Sequence, residues 1–208
     1  NLNNLNTDDD TTSTSIEINK IDNSISRIKL DYDNLLISNN ETMSSFKRSL
    51  EKEVIVLNNY LSDIIYFSDE ILWVTELNKN KNNSYEIYLW AKDSWQKTNS
   101  ETLLENLILE KDTKISNLKI EINNEDDFKK YIKIIDDSYT LINDFLISFD
   151  TTLSNTISSV WAISESQISW YKATYNWYKS SFLWLSNSIY SFLETYKNGN
   201  ANSNVTKN

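Results

Sequence analysis

Carboxylates, lysines and hydroxyls are the only groups in this chain that could do chemistry, because histidine and cysteine are both absent. Without histidine the commonest general base and zinc ligand is missing. Without cysteine there is no thiolate, disulfide or redox pair. Three acidic groups remain as candidates for metal binding or glycosidic cleavage: Asp8-Asp9-Asp10, Glu125-Asp126-Asp127 and Asp136-Asp137. Such chemistry requires carboxylates that converge on one space, whereas adjacent acids on a helix point to different faces. An EF-hand loop needs spaced acids around a glycine, and a di-iron bundle needs Glu-x-x-His pairs; neither pattern occurs. All three groups read as solvated charge. A serine nucleophile would have only lysine as its base, and no Ser-x-x-Lys stands in a supporting context. The expectation is no enzyme, no metal and no cofactor.

The aromatic residues are more informative. Trp170, Trp177 and Trp184 recur at steps of seven, and the first two are followed by Tyr171 and Tyr178. A seven-residue step returns to nearly the same helix face, so the three indoles form a ridge. The apolar seam of that helix reads Tyr171, Tyr175, Tyr178, Phe182, Leu185, Ile189 and Phe192. The ridge lies about a third of a turn from this seam, giving the helix two apolar faces. Three roles are open to the second face: packing against another helix of the same chain, docking a different chain, or contact with a membrane interface. A second cluster, Trp90 and Trp95 with Tyr85 and Tyr88, would cover one end of a helical body or offer a platform for a small molecule or glycan. The candidate partner-binding residues are therefore Trp170, Trp177, Trp184, Tyr171, Tyr178, Trp90 and Trp95.

These residues must be carried by helices. The 208 residues include one glycine and no proline, which removes the usual punctuation of barrels, sandwiches and phosphate-binding loops. The spacing predicts an all-α protein: an elongated antiparallel helical bundle or coiled coil of four to five helices with disordered tails. A polar, acidic leader occupies 1–13, and a single helical domain spans 14–197. Its helices are expected at about 14–37, 41–77, 84–97, 100–122 and 125–197. Thr14 with Glu17, and Thr98 with Glu101, read as capping boxes. The segment 118–122 also alternates with strand period, but its isolation favours helix. A rod from 125 to 197 would be on the order of 110 Å long. The weak helix formers at 150–159 are the expected break, with Asp150 as a new N-cap. Val160 falls in the inward-facing pattern of that region. Gly199 is the expected left-handed stop, followed by a disordered tail over 198–208.

A net charge of −10 disfavours nucleic acid and anionic membranes as partners. No apolar run is long enough for a transmembrane helix. The chain begins at Asn1 without a methionine, which suggests a processed chain or a piece cut from a longer one, with any signal or anchor lying upstream. Residue usage rich in Asn, Ile, Lys and Tyr is the pattern of AT-rich codons, and seven tryptophans fit a genome that also reads UGA as Trp. The function these features imply is a non-enzymatic protein-interaction module. A surface-exposed or secreted antigen or adhesin-like lipoprotein of an AT-rich microbe is the first expectation. A self-assembling cytoplasmic scaffold, cytoskeletal or viral, is the alternative, and a membrane-acting helical toxin the third. The expected partner is a protein or a second copy, with membrane contact only through an upstream anchor.

Overall fold

A computed structural model describes residues 30, 41, 43–79, 88, 94–122 and 125–205, and among these the chain is helical, turn or irregular, with no strand. Two compact units are present, Asn1–Phe46 and Lys47–Asn208. The expected leader, the helix over 14–37 apart from Leu30, the capping pair Thr14–Glu17 and Trp90 lie outside the described residues.

The first described helix, α1, spans 43–72, most of it in the second unit. Its buried side chains Leu50, Val54, Leu57, Leu61, Ile64, Phe67 and Ile71 follow steps of three and four, the spacing that puts one apolar stripe on a helix. The helix stops at Leu72 rather than at the expected Leu77. The cause is Asp69, a buried carboxylate that accepts the backbone N–H groups of Val74 and Thr75 at 2.9 and 2.7 Å, together with the Thr75 hydroxyl and the Asn78 amide. A side chain that captures the next amides offers the backbone an alternative to another helical turn. Trp73 takes φ 57°, and its N–H still reaches the Asp69 carbonyl at 2.9 Å. Its indole N–H donates to the Glu70 carbonyl at 2.9 Å, which satisfies one of the helix's last acceptors. A left-handed conformation costs a residue with a Cβ roughly 1–2 kcal/mol, and the Asp69 network offsets that cost.

Helix α2 is Ser94–Glu110, continued by a π-helical turn at Lys111–Ile115. Apart from residue 88, the part of the expected helix over 84–93 lies outside the described residues; no break occurs at Thr98, where the helix from Ser94 runs through the expected division. Thr98 does not cap it; its carbonyl accepts the Thr102 hydroxyl at 2.9 Å within the helix. The π turn closes when the Ser116 N–H donates to the Lys111 carbonyl at 2.8 Å. Residues 118–122 are neither helix nor strand. Ile120 is buried there, while the Tyr131 hydroxyl donates to the Lys119 carbonyl and accepts the Glu121 N–H. A side chain from the next helix thus serves the backbone groups that a helix through 122 would have paired.

Helix α3 is Glu125–Ser154 and helix α4 is Glu165–Val205. The connection at 155–164 begins within the weak-helix run, but Asp150 lies inside α3 and does not cap α4. Ser164 does. Its hydroxyl accepts the Gln167 N–H at 3.2 Å while Gln167 Oε1 accepts the Ser164 N–H at 3.0 Å, a reciprocal capping box. At the other end, α4 continues past Lys197 to Val205, and Gly199 does not take positive φ. Glycine inside a helix costs about 1 kcal/mol relative to alanine, which disfavours but does not forbid continuation.

The pairings fix chain direction. Ser100 of α2 meets Ser148 and Thr152 of α3, and Glu110 accepts the Ser138 hydroxyl at 2.9 Å, so α2 and α3 run in opposite senses. Tyr139 meets Phe182 and Phe149 meets Tyr175, so α3 and α4 also run in opposite senses. Phe67 of α1 packs on Tyr171 while Tyr60 packs on Phe182, which sets α1 opposite to α4 as well. Aromatic packing joins the three long helices: Phe67 lies edge-on to Phe149, which stacks on Phe145 at 5.3 Å.

Candidate functional site

Helix α4 carries the two faces expected of it. Tyr175, Phe182, Leu185 and Ile189 are buried along the seam. The Tyr175 hydroxyl donates to the Leu146 carbonyl at 2.8 Å, tying the seam to α3. Tyr171 and Tyr178 lie at the seam's edge and turn toward α1: the Phe67 ring is 6.4 Å from Tyr171 and 5.2 Å from Tyr178. Described side chains on α4 end at Ser191, so Phe192 lies outside them.

The ridge stands outside this packing. Trp170, Trp177 and Trp184 are 56%, 60% and 69% exposed. Trp170 touches the Phe67 edge at 6.2 Å, and Trp177 lies edge-on to Tyr178 at 4.9 Å. Beside the lower two indoles runs a groove between α1 and α4. Its α1 wall includes Asn59, Tyr60 and Asp63, and its α4 wall includes Trp177, Ser180 and Trp184. The Tyr60 hydroxyl donates to the Tyr178 carbonyl at 3.2 Å across the floor. Sparse polar groups beside large aromatic surfaces are what a binding cleft offers, because they fix orientation while the rings supply contact area.

Burial raises the phenol pKa of Tyr60, Tyr139 and Tyr175 above the ordinary 10.0. Tyr178 is shifted the same way, by burial and then by the Asp63 carboxylate. A neutral acid held protonated in the folded state contributes stability that is complete below the unfolded pKa. It is lost as pH rises, because the unfolded chain ionises first. Stability is therefore expected to fall above about pH 10. Ultraviolet difference absorbance should show Tyr60, Tyr139 and Tyr175 titrating only as the protein unfolds. Their titration within a fully helical protein would contradict the packing described.

Trp95 is exposed on α2. The connection from α3 to α4 presents two further apolar residues, Val160 and Trp161, at 93% and 92% exposure. Val160 therefore does not join the inward pattern. The loop is tied down beneath them: Ile163 is buried, the Ser159 N–H donates to the Ile163 carbonyl at 2.8 Å, and the Ile157 N–H donates to the Tyr88 carbonyl at 3.0 Å. An uncharged Ser-Ser-Val-Trp-Ala run after a helix end was the available signal for this loop tip, and a continuous helical register hides it.

Among the described residues, no group of three or more carboxylates is placed to hold a metal ion. Asp136 and Asp137 are exposed on α3, with Asp137 accepting the Lys133 ammonium at 2.8 Å. No described helix is long and apolar enough to cross a membrane. No protein family, curated protein or solved structure matches the chain.

Proposed function

We propose that this chain is a non-enzymatic protein-interaction module, an elongated antiparallel helical bundle that docks a protein through the tryptophan ridge of α4. One observation carries the reading: the α4 seam is buried without the ridge, yet each of the three indoles keeps more than half of its surface exposed. Tryptophan is the residue type most enriched among interface anchors, because one side chain supplies a large apolar area with few rotatable bonds. Solvent-exposed indoles at regular spacing contribute little to a monomer's fold and much to an interface. The setting that fits the composition is a cell surface, with the chain acting as an antigen or adhesin-like protein held by a lipid anchor. A self-assembling scaffold is the alternative.

The test is photo-crosslinking in the native host, with benzoylphenylalanine replacing Trp184 and, as a control, exposed Asn143 on α3. The reading expects a discrete protein adduct from position 184 and none from position 143. The same reagent at positions 170, 177 and 184 giving no adduct would overturn it. The adduct's mass separates the partners, since twice the chain mass is a second copy and any other mass is a different protein.

A further inference from the structure

Charge and exposure around the ridge say more about what covers it, on the assumption that it is a docking face. We propose that the occupant is a second copy of this chain, with α4 of each copy seated along the groove between α1 and α4 of the other.

Two copies each carrying −10 repel unless their contact avoids acid against acid. Helix α4 meets that condition. From Ser166 to Leu193 it contains no Asp or Glu and two lysines, Lys172 and Lys179. The α1 border of the groove is its complement. Asp63 on the groove wall and Glu70 two turns beyond it are exposed on one helical stripe with Ile55 and Tyr66, while Arg48 and Lys52 are exposed on the same stripe toward the other end of α1. Level with Trp170 and Trp177 the surface thus offers acids with apolar residues on one helix, and lysines with apolar residues on the next.

The arrangement of these groups selects the symmetry. Lys179 lies on the side of α4 that faces α3, where its ammonium is 3.7 Å from the Asp150 carboxylate in an exposed pair. Lys172, seven residues earlier, shares that side. A two-fold axis across α4 at Trp177, which shares the groove with Asp63, would set Asp63 of one copy against Asp63 of the other. An axis along α4 sets Asp63 and Glu70 of each copy opposite the other's lysines, with like tryptophans adjacent. Because α1 and α4 run in opposite senses, Glu70 lies level with the Trp170 end of the ridge, which places it opposite the second copy's Lys172. An isologous contact of this kind closes on itself as a dimer and does not propagate.

The test is light scattering on size-exclusion fractions over a dilution series of the intact chain, with circular dichroism confirming that each variant keeps its helix content. The wild type is expected to be a dimer at about 100 µM that dissociates on dilution. Trp184→Ser should weaken it by roughly tenfold or more, as loss of an interface anchor does. Glu70→Lys and Lys172→Glu should each weaken it several-fold, and the two together should restore it to within about twofold of wild type. A monomer at about 100 µM overturns the proposal. So does a dimer indifferent to Trp184→Ser, or a charge exchange that restores nothing. A monomer that still forms adducts of another mass at position 184 removes only the second copy; a monomer without any ridge adduct removes the docking face as well.

Discussion

Replacing Tyr175 with alanine is expected to destabilise the protein by about 3–5 kcal/mol, a large part of the stability of a domain this size. Among the described residues, Tyr175 is the largest of the fully buried side chains. Its ring meets Phe149 edge-on at 5.9 Å, and its hydroxyl reaches the Leu146 carbonyl, so one side chain ties α4 to α3 by two contacts within one turn. Truncation removes the apolar area, opens a cavity among rings that cannot close over it, and deletes the hydrogen bond. Tyr175→Phe removes the hydroxyl alone and should cost about 1 kcal/mol. The two variants thus separate packing from hydrogen bonding. Urea unfolding followed by circular dichroism measures both, and an alanine loss below about 1 kcal/mol would contradict a seam closed around Tyr175.

The second large effect belongs to Asp69. Asp69→Ala is expected to cost about 2–4 kcal/mol, because four donors converge on this one buried carboxylate. Removing it strands the Val74 and Thr75 amides and leaves Trp73 in the left-handed region without its compensation. Asp69→Asn keeps one carbonyl acceptor but turns an NH2 group toward other donors, so its loss should fall between wild type and alanine. Hydrogen exchange gives a local readout: protection at Val74 and Thr75 should vanish in Asp69→Ala before protection in the centre of α1 does. Equal protection of these amides in wild type and variant would contradict the network.

Much of the architecture was legible because helical spacing survives in side-chain identity. The scarcity of glycine and proline pointed to helices, and the steps from Leu50 to Ile71 picked out the buried face of α1. Boundaries were harder, because they depend on which side chain captures which backbone group. Asp69 followed by Glu70 reads as solvated mid-helix charge, and only three-dimensional placement makes Asp69 the acceptor that ends α1. The Thr98–Glu101 pair fits a capping box on paper, yet α2 passes through it, since a capping signal competes with helix on either side. The Ser164–Gln167 box was masked by the apolar residues around it. Gly199 misled for the opposite reason, as a glycine permits a left-handed stop without requiring one.

The ridge shows the same division. Its spacing was plain, and so was its offset from the seam. Exposure was not, because an apolar face on a helix looks alike whether a neighbouring helix covers it or none does. Val160 fell into a continuous register that the chain leaves after Ser154.

The most direct test is the triple variant Trp170→Ser, Trp177→Ser and Trp184→Ser, compared with wild type by thermal unfolding and by light scattering across a dilution series. The account predicts that the variant stays helical, melts within several degrees of wild type, and is a monomer under conditions in which wild type associates. A variant that unfolds would place the indoles in the core and contradict it, as would a folded variant that associates as wild type does.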